Sequence, residues 1–157
     1  MRTGHELRAL MRRFPAGVAV VTVDLEGEQI GLTVSSLVSL SLEPPLVGVS
    51  VSRSAALHEL LRDAGEFAVS LLAAGQEHLA QHFARGVPPI ALWSGIERRP
   101  GVHRAPLLAG AVGWLECETW REYEAGDHTF FVGEVRTVEA GGAARPLIHI
   151  GQSYRAL

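Results

Sequence analysis

The chain has 157 residues, 47% hydrophobic and 20% charged, the balance of a folding chain rather than a disordered one. A net charge of -3 withholds the basic surface that nonspecific nucleic-acid binding needs, and the length suits a single domain over residues 1–157. All 14 basic side chains are arginines, a bias that a GC-rich genome also produces. Without lysine there is no Schiff base, no phosphate-loop lysine and no lysine base, so a side-chain cation holding an anion must be the arginine fork.

The first stretch, Arg2 to Phe14, carries Leu7, Leu10, Met11 and Phe14 on one stripe and is predicted to be an ordinary amphipathic helix. Gly17 to Val23 is β-rich, and the turn Asp24–Glu28 leads into a second strand through Val34. The valine-rich run Leu46 to Ser52 suits a strand buried on both faces. Ser54 is expected to cap a helix that ends at Gly65. Glu66 to Leu72 returns to strand, and Gln76 to Ala84 forms another short helix. Between Val87 and Pro106, prolines and glycines break any period, yet Ile90, Leu92 and Trp93 require that the loop pack over something. Two long strands, Ala111 to Tyr123 and Thr129 to Val138, are joined by the turn around Gly126–Asp127, and Leu147 to Ile150 adds a last one. Strands with only short helices between them predict a mainly β fold, an antiparallel sheet closed into a barrel.

The single cysteine, Cys117, has no internal disulfide partner, which points to a reducing, cytoplasmic setting. Flanked by Glu116 and Glu118 on an alternating strand, it reads as a core thiol rather than a nucleophile. No apolar run nears the roughly 18 residues of a membrane span, so no membrane partner is expected. His78 and His82 lie four apart, but no glutamate follows His78 as in zinc-binding helices, and no metal site is expected. Neither a Gly-x-Ser-x-Gly elbow nor a Gly-x-Gly-x-x-Gly turn occurs.

Three places could carry chemistry. Arg53 and Ser54 precede a helix whose free amides would receive a phosphate; equally, Ser54 serves only as a cap and Arg53 is solvated. The run Thr33-Val34-Ser35-Ser36 with Ser39 and Ser41 offers uncharged hydroxyls for ring carbonyls and nitrogens, or the polar face of an edge strand. His128, at the mouth of a hairpin, either bonds its turn or orients a second molecule.

Taken with Phe14-Pro15-Ala16-Gly17-Val18, the Ser39 to Val47 run through Pro44-Pro45, Phe67-Ala68-Val69-Ser70, Gly126-Asp127-His128, Gly133-Glu134-Val135 and Tyr154-Arg155-Ala156-Leu157, these residues resemble the flavin reductase family. The resemblance runs from about Phe14 to the C-terminus. It implies the antiparallel Greek-key split β-barrel that binds FMN, with a few short helices. It implies NAD(P)H-dependent reduction of FMN or FAD for a separate monooxygenase, in a cytoplasmic homodimer. By it, Thr33, Ser35, Ser36, Ser50, Val51, Ser52, Arg53, Ser54 and Phe83 surround the flavin. His128, Tyr154 and Arg155 receive NADH or NADPH, and no side chain acts as a catalytic acid or base, because the cofactors carry the hydride. The chain departs from the family's pattern at Gly86-Val87-Pro88-Pro89-Ile90 and at Gly151-Gln152-Ser153, which leaves FMN against FAD and NADH against NADPH open. A flavin carrier or sensor without turnover is the alternative.

Overall fold

The computed structural model describes residues 1–143 and 145–157. Helix α1 (Arg2–Met11) and the short β1 (Ala16–Gly17) are followed by the hairpin β2 (Ala19–Leu25) and β3 (Glu28–Val34), then by the hairpin β4 (Val38–Leu42) and β5 (Pro45–Ser52). Helix α2 (Ala56–Ala64) stops at Gly65, whose φ of 70° suits a residue without Cβ, and β6 (Glu66–Leu71) follows. Helix α3 (Glu77–Ala84), the single turn α4 (Pro89–Leu92), β7 (Arg98–Arg99) and β8 (Leu107–Leu108) lead to the long hairpin β9 (Gly113–Ala125) and β10 (His128–Ala140). The described chain closes with β11 (Leu147–Ile150) and β12 (Ser153–Ala156).

Seven strands form one antiparallel sheet in the order β3-β2-β6-β9-β10-β5-β4, and a smaller sheet runs β1-β11-β12. The mainly β expectation therefore holds, with few and short helices. Among the described residues the large ladder is open, with β3 and β4 as its margins. Beyond β3, Ser36 continues the β4–β5 pairing, its hydroxyl accepting from the Ser50 amide at 3.0 Å and donating to the Ser50 carbonyl at 3.1 Å, and β3 itself packs against β5.

Both faces of the sheet's centre are covered, which is why Ala19 through Val23 are buried without alternation. One face takes Phe67 and Val69 of β6 with Leu57 and Leu61 of α2 and Phe131 of β10. The other takes Ala68 with Ala105, Leu107 and Trp114. Each such large side chain contributes about 1.5–3 kcal/mol on leaving water. The irregular segment after α3 does pack down, as its apolar residues required: Leu92 is buried and the Trp93 indole donates to the Gln29 carbonyl at 2.7 Å.

Several boundaries differ from expectation. The first helix ends at Met11, not Phe14, and none of its side chains is buried. The N-cap of α2 is Ala55, with no side-chain capping bond; the Ser54 hydroxyl lies 3.0 Å from Ser52 Oγ instead. Strand β12 was not anticipated, and β4 is the edge strand that was one of the two readings of Ser39 and Ser41.

Candidate functional site

Strand β3 and its continuation bring Thr33 and Ser35 beside Ala84, His149 and Tyr154 around a small hollow of about 110 Å³. Ser35 and His149 also line a larger hollow of about 530 Å³ with Ser36, Arg8, Arg12 and Phe14. On the other side, Ala84 is shared with a hollow of about 410 Å³ whose walls include Gly31, Ser54, Phe83 and Arg85. The three adjoin through those shared residues and together form a groove in the size range of ligand pockets. Their described lining contains three arginines, Arg8, Arg12 and Arg85, and no carboxylate, although the chain carries 17 acidic residues. The groove is cationic at its two ends and uncharged between them.

The hydroxyls differ in what they have left to offer. Thr33 Oγ1 donates to the Ala80 carbonyl at 2.7 Å, and Ser36 is engaged by both backbone groups of Ser50. Their donors are used in holding β3 to α3 and to β5, so the uncharged cradle expected from the sequence is narrower than the run suggests. Ser35, lining two of the hollows, has no such bond among the described residues. Val51 is fully buried, so a ligand could meet only its backbone. In the antiparallel ladder the Arg53 amide points to β10, donating to the Asp127 carbonyl at 3.0 Å. By the alternation of that ladder the Ser52 amide, like that of Ser50, points away from β10, to the Ser36 side.

At the phosphate end, Ser54, Ala55 and Leu57 border the groove where α2 begins, and no side chain caps its first amides. Arg85 faces this end; Arg53 instead pairs with Glu124 at 2.9 Å. Phe83 is buried, 1% exposed, packed 5.2 Å from Trp93, and its ring sits under Gly31 as part of the floor. A methyl group at Gly31 would meet that ring at 3.0 Å.

His128 opens β10 opposite Ser52, with its side chain 42% exposed and Nδ1 2.7 Å from Asp127 Oδ1. The hydrogen bond from His128, then its charge, holds the Asp127 carboxyl below its ordinary range, and Arg8 adds to this. Hairpin geometry places the pair: β9 and β10 connect through Gly126–Asp127 alone, and Gly126 takes a φ of 65°. Tyr154 borders the groove, its ring centroid 5.3 Å from that of His149, and burial pushes its hydroxyl pKa up. Arg155 occupies the opposite face of β12, exposed and across from Ile148, so strand alternation separates it from Tyr154. Sequence reasoning missed His149, Arg85, Arg8 and Arg12. His149 is reached only through the register that pairs it with Tyr154 and with Ala16.

A groove with such walls can receive a ligand that is uncharged in its middle and anionic at its ends. The chain belongs to the family described as flavin reductase like domain, whose model matches residues 11–157. It is 43% identical over 153 residues to an NADH-dependent FAD reductase of Streptomyces globisporus, covering 96% of this chain and 84% of the relative. It is 41% identical to the reductase component of a 4-hydroxyphenylacetate 3-monooxygenase of Thermus thermophilus, covering 94% of this chain and 92% of that one. Among solved structures, a Streptomyces globisporus NADH:FAD oxidoreductase in complex with NAD and FAD fragments superposes with a TM-score of 0.92 at 41% identity, over 98% of this chain and 92% of the other.

Proposed function

We propose that the chain is an NADH-dependent flavin reductase that supplies reduced FMN or FAD to a separate oxygenase. The observation that carries this is the groove itself: uncharged where two rings would meet, with arginines and no carboxylates at its ends. The residues fit the flavin. Ser35 is the donor proposed for ring and ribityl oxygens, with the Ser52 amide on the neighbouring strand, and the start of α2 with Ser54 and Arg85 suits the phosphate. His128 and Tyr154 flank the nicotinamide approach; Thr33, Ser36, Ser50, Val51 and Phe83 shape the wall rather than donate to the ligand, and Arg53 braces the hairpin.

When both cofactors are bound, they supply the hydride transfer, and the protein's part is to hold two rings in register and keep water out. Nε2 of His128 remains available to a carboxamide because Nδ1 is engaged by Asp127. No side chain needs to move a proton, which agrees with neutral walls. A site with one phosphate-facing arginine and few charge-assisted bonds favours a flavin that comes and goes.

We further infer that the sheet curls into the split barrel of its family, that the chain forms one domain, and that it acts as a cytoplasmic homodimer. The packing of β3 against β5, far from it in the ladder, supports the curl, and the free buried Cys117 fits a reducing compartment. Margin strand β4 exposes Val38, Leu40 and Leu42, the last at 88%, an edge that a second copy would cover. The reductase reading is tested by mixing purified protein with NADH and free FMN or FAD and following the nicotinamide absorbance. Rapid loss that depends on added flavin is expected; stoichiometric flavin binding with no loss makes the protein a carrier instead.

A further inference from the structure

The N-terminal helix α1 is unusual in burying no side chain, yet it forms one wall of the largest of the three hollows. Arg8 and Arg12 stand one helical turn apart and both face that hollow. Two cations at this spacing repel one another, and no described carboxylate lies within ion-pair distance of either. The same helix does pair Arg2 with Glu6, at 3.1 Å, on its exposed side. The Arg8 charge also helps, last among several causes, to hold the Asp127 carboxyl low. The helix end is fixed: the Gly151 amide donates to the Arg12 carbonyl at 2.8 Å, next to Gln152, which lines the same hollow.

We propose that Arg8 and Arg12 form the subsite for the diphosphate of the nicotinamide dinucleotide, making α1 the wall that captures the electron donor. The inference rests on the reductase reading above and extends it to residues that lie outside the ring contacts. The flavin phosphate has its own end of the groove, at Arg85 and the start of α2, with the neutral Ser35 and Tyr154 region between. A second anion of higher charge, received at the opposite end, is what the unpaired arginines await. Two forks matched to two phosphates supply bidentate bonds and an attraction that salt weakens.

The test uses the full chain and the double variant Arg8→Ala/Arg12→Ala, whose thermal midpoint serves as a control because neither side chain is buried. Two donors are compared: NADH, and N-benzyl-dihydronicotinamide, which has no phosphate. The Michaelis constant for NADH is expected to rise at least about tenfold in the variant. That for the benzyl donor and that for FMN should stay within about twofold. Titration calorimetry with ADP-ribose, a diphosphate without nicotinamide, should give binding to the parent protein and none to the variant. An unchanged constant for NADH, an equal loss with both donors, or a shift in the FMN constant instead would each overturn the assignment. If the parent protein oxidises neither donor in the presence of flavin, it is the reductase reading that falls, and the diphosphate subsite with it.

Discussion

The hydroxyl of Ser36 accepts from one backbone group of Ser50 and donates to the other, so Ser36→Ala strands an amide and a carbonyl at a half-buried position. We expect a loss of about 1–3 kcal/mol in denaturant unfolding. Ser35→Ala removes no such pair and should leave stability within about 0.5 kcal/mol while raising the Michaelis constant for flavin. His128→Ala should raise the constant for NADH and leave that for flavin alone, measured in the same steady-state assay. For Cys117, burial first and Glu116 second push the thiol up to about 12, so alkylation by iodoacetamide should be negligible in the folded protein and prompt in denaturant. The side chains of this site were only partly legible in the sequence. Thr33, Ser35 and Ser36 are chemically alike along the chain, and only their partners, 14 to 47 residues away, separate the one free donor from the two structural ones. Arg8 and Arg12 carry no local signal at all, since helical period says which residues share a face but not what that face meets.

Elements built on long, regular alternation were legible: β9 and β10 follow from their pattern and from the turn at Gly126–Asp127. Strand β4 was legible only as the edge-strand alternative for Ser39 and Ser41, because the register shifts between those two residues and breaks the period-two pattern on which recognition depends. The cap of α2 failed for another reason: Ser54 is drawn to Ser52, leaving the helix's first amides toward the groove. A side-chain cap would compete with a phosphate there, so its lack accords with ligand binding. Elsewhere, Glu116 on β9 ties down the loop between β7 and β8. Its buried carboxylate accepts from Thr137 Oγ1 at 2.6 Å and from the amides of His103 and Val102. Burial alone would raise its pKa, but these three bonds outweigh it and hold the carboxyl below its ordinary value of 4.5. The stability so gained is complete above that ordinary value and drains as pH falls through the lower folded one. Glu116→Gln should therefore flatten the acid limb of the stability profile as well as weaken the fold at neutral pH, which urea titrations at several pH values will show.

At the scale of the whole molecule, the proposed dimer through the exposed apolar side chains of β4 predicts that Leu42→Glu sediments as a monomer while the parent protein sediments as a dimer. The open ladder has a further consequence. Strand β3 is far from β5 in hydrogen-bond order but packs against it, beside the groove. The sheet thus has a seam, and a molecule lodged along it laces both lips together. Saturating flavin, at about a hundredfold excess over its dissociation constant, should add about 2.7 kcal/mol to unfolding. Amide exchange should slow most in β3 and β5, on the two sides of that join, while the β9–β10 ribbon, already paired along its length, changes little. On the proposed reading, departure of reduced flavin loosens the same lips, so the exchange of β3 and β5 should quicken again when the flavin is removed.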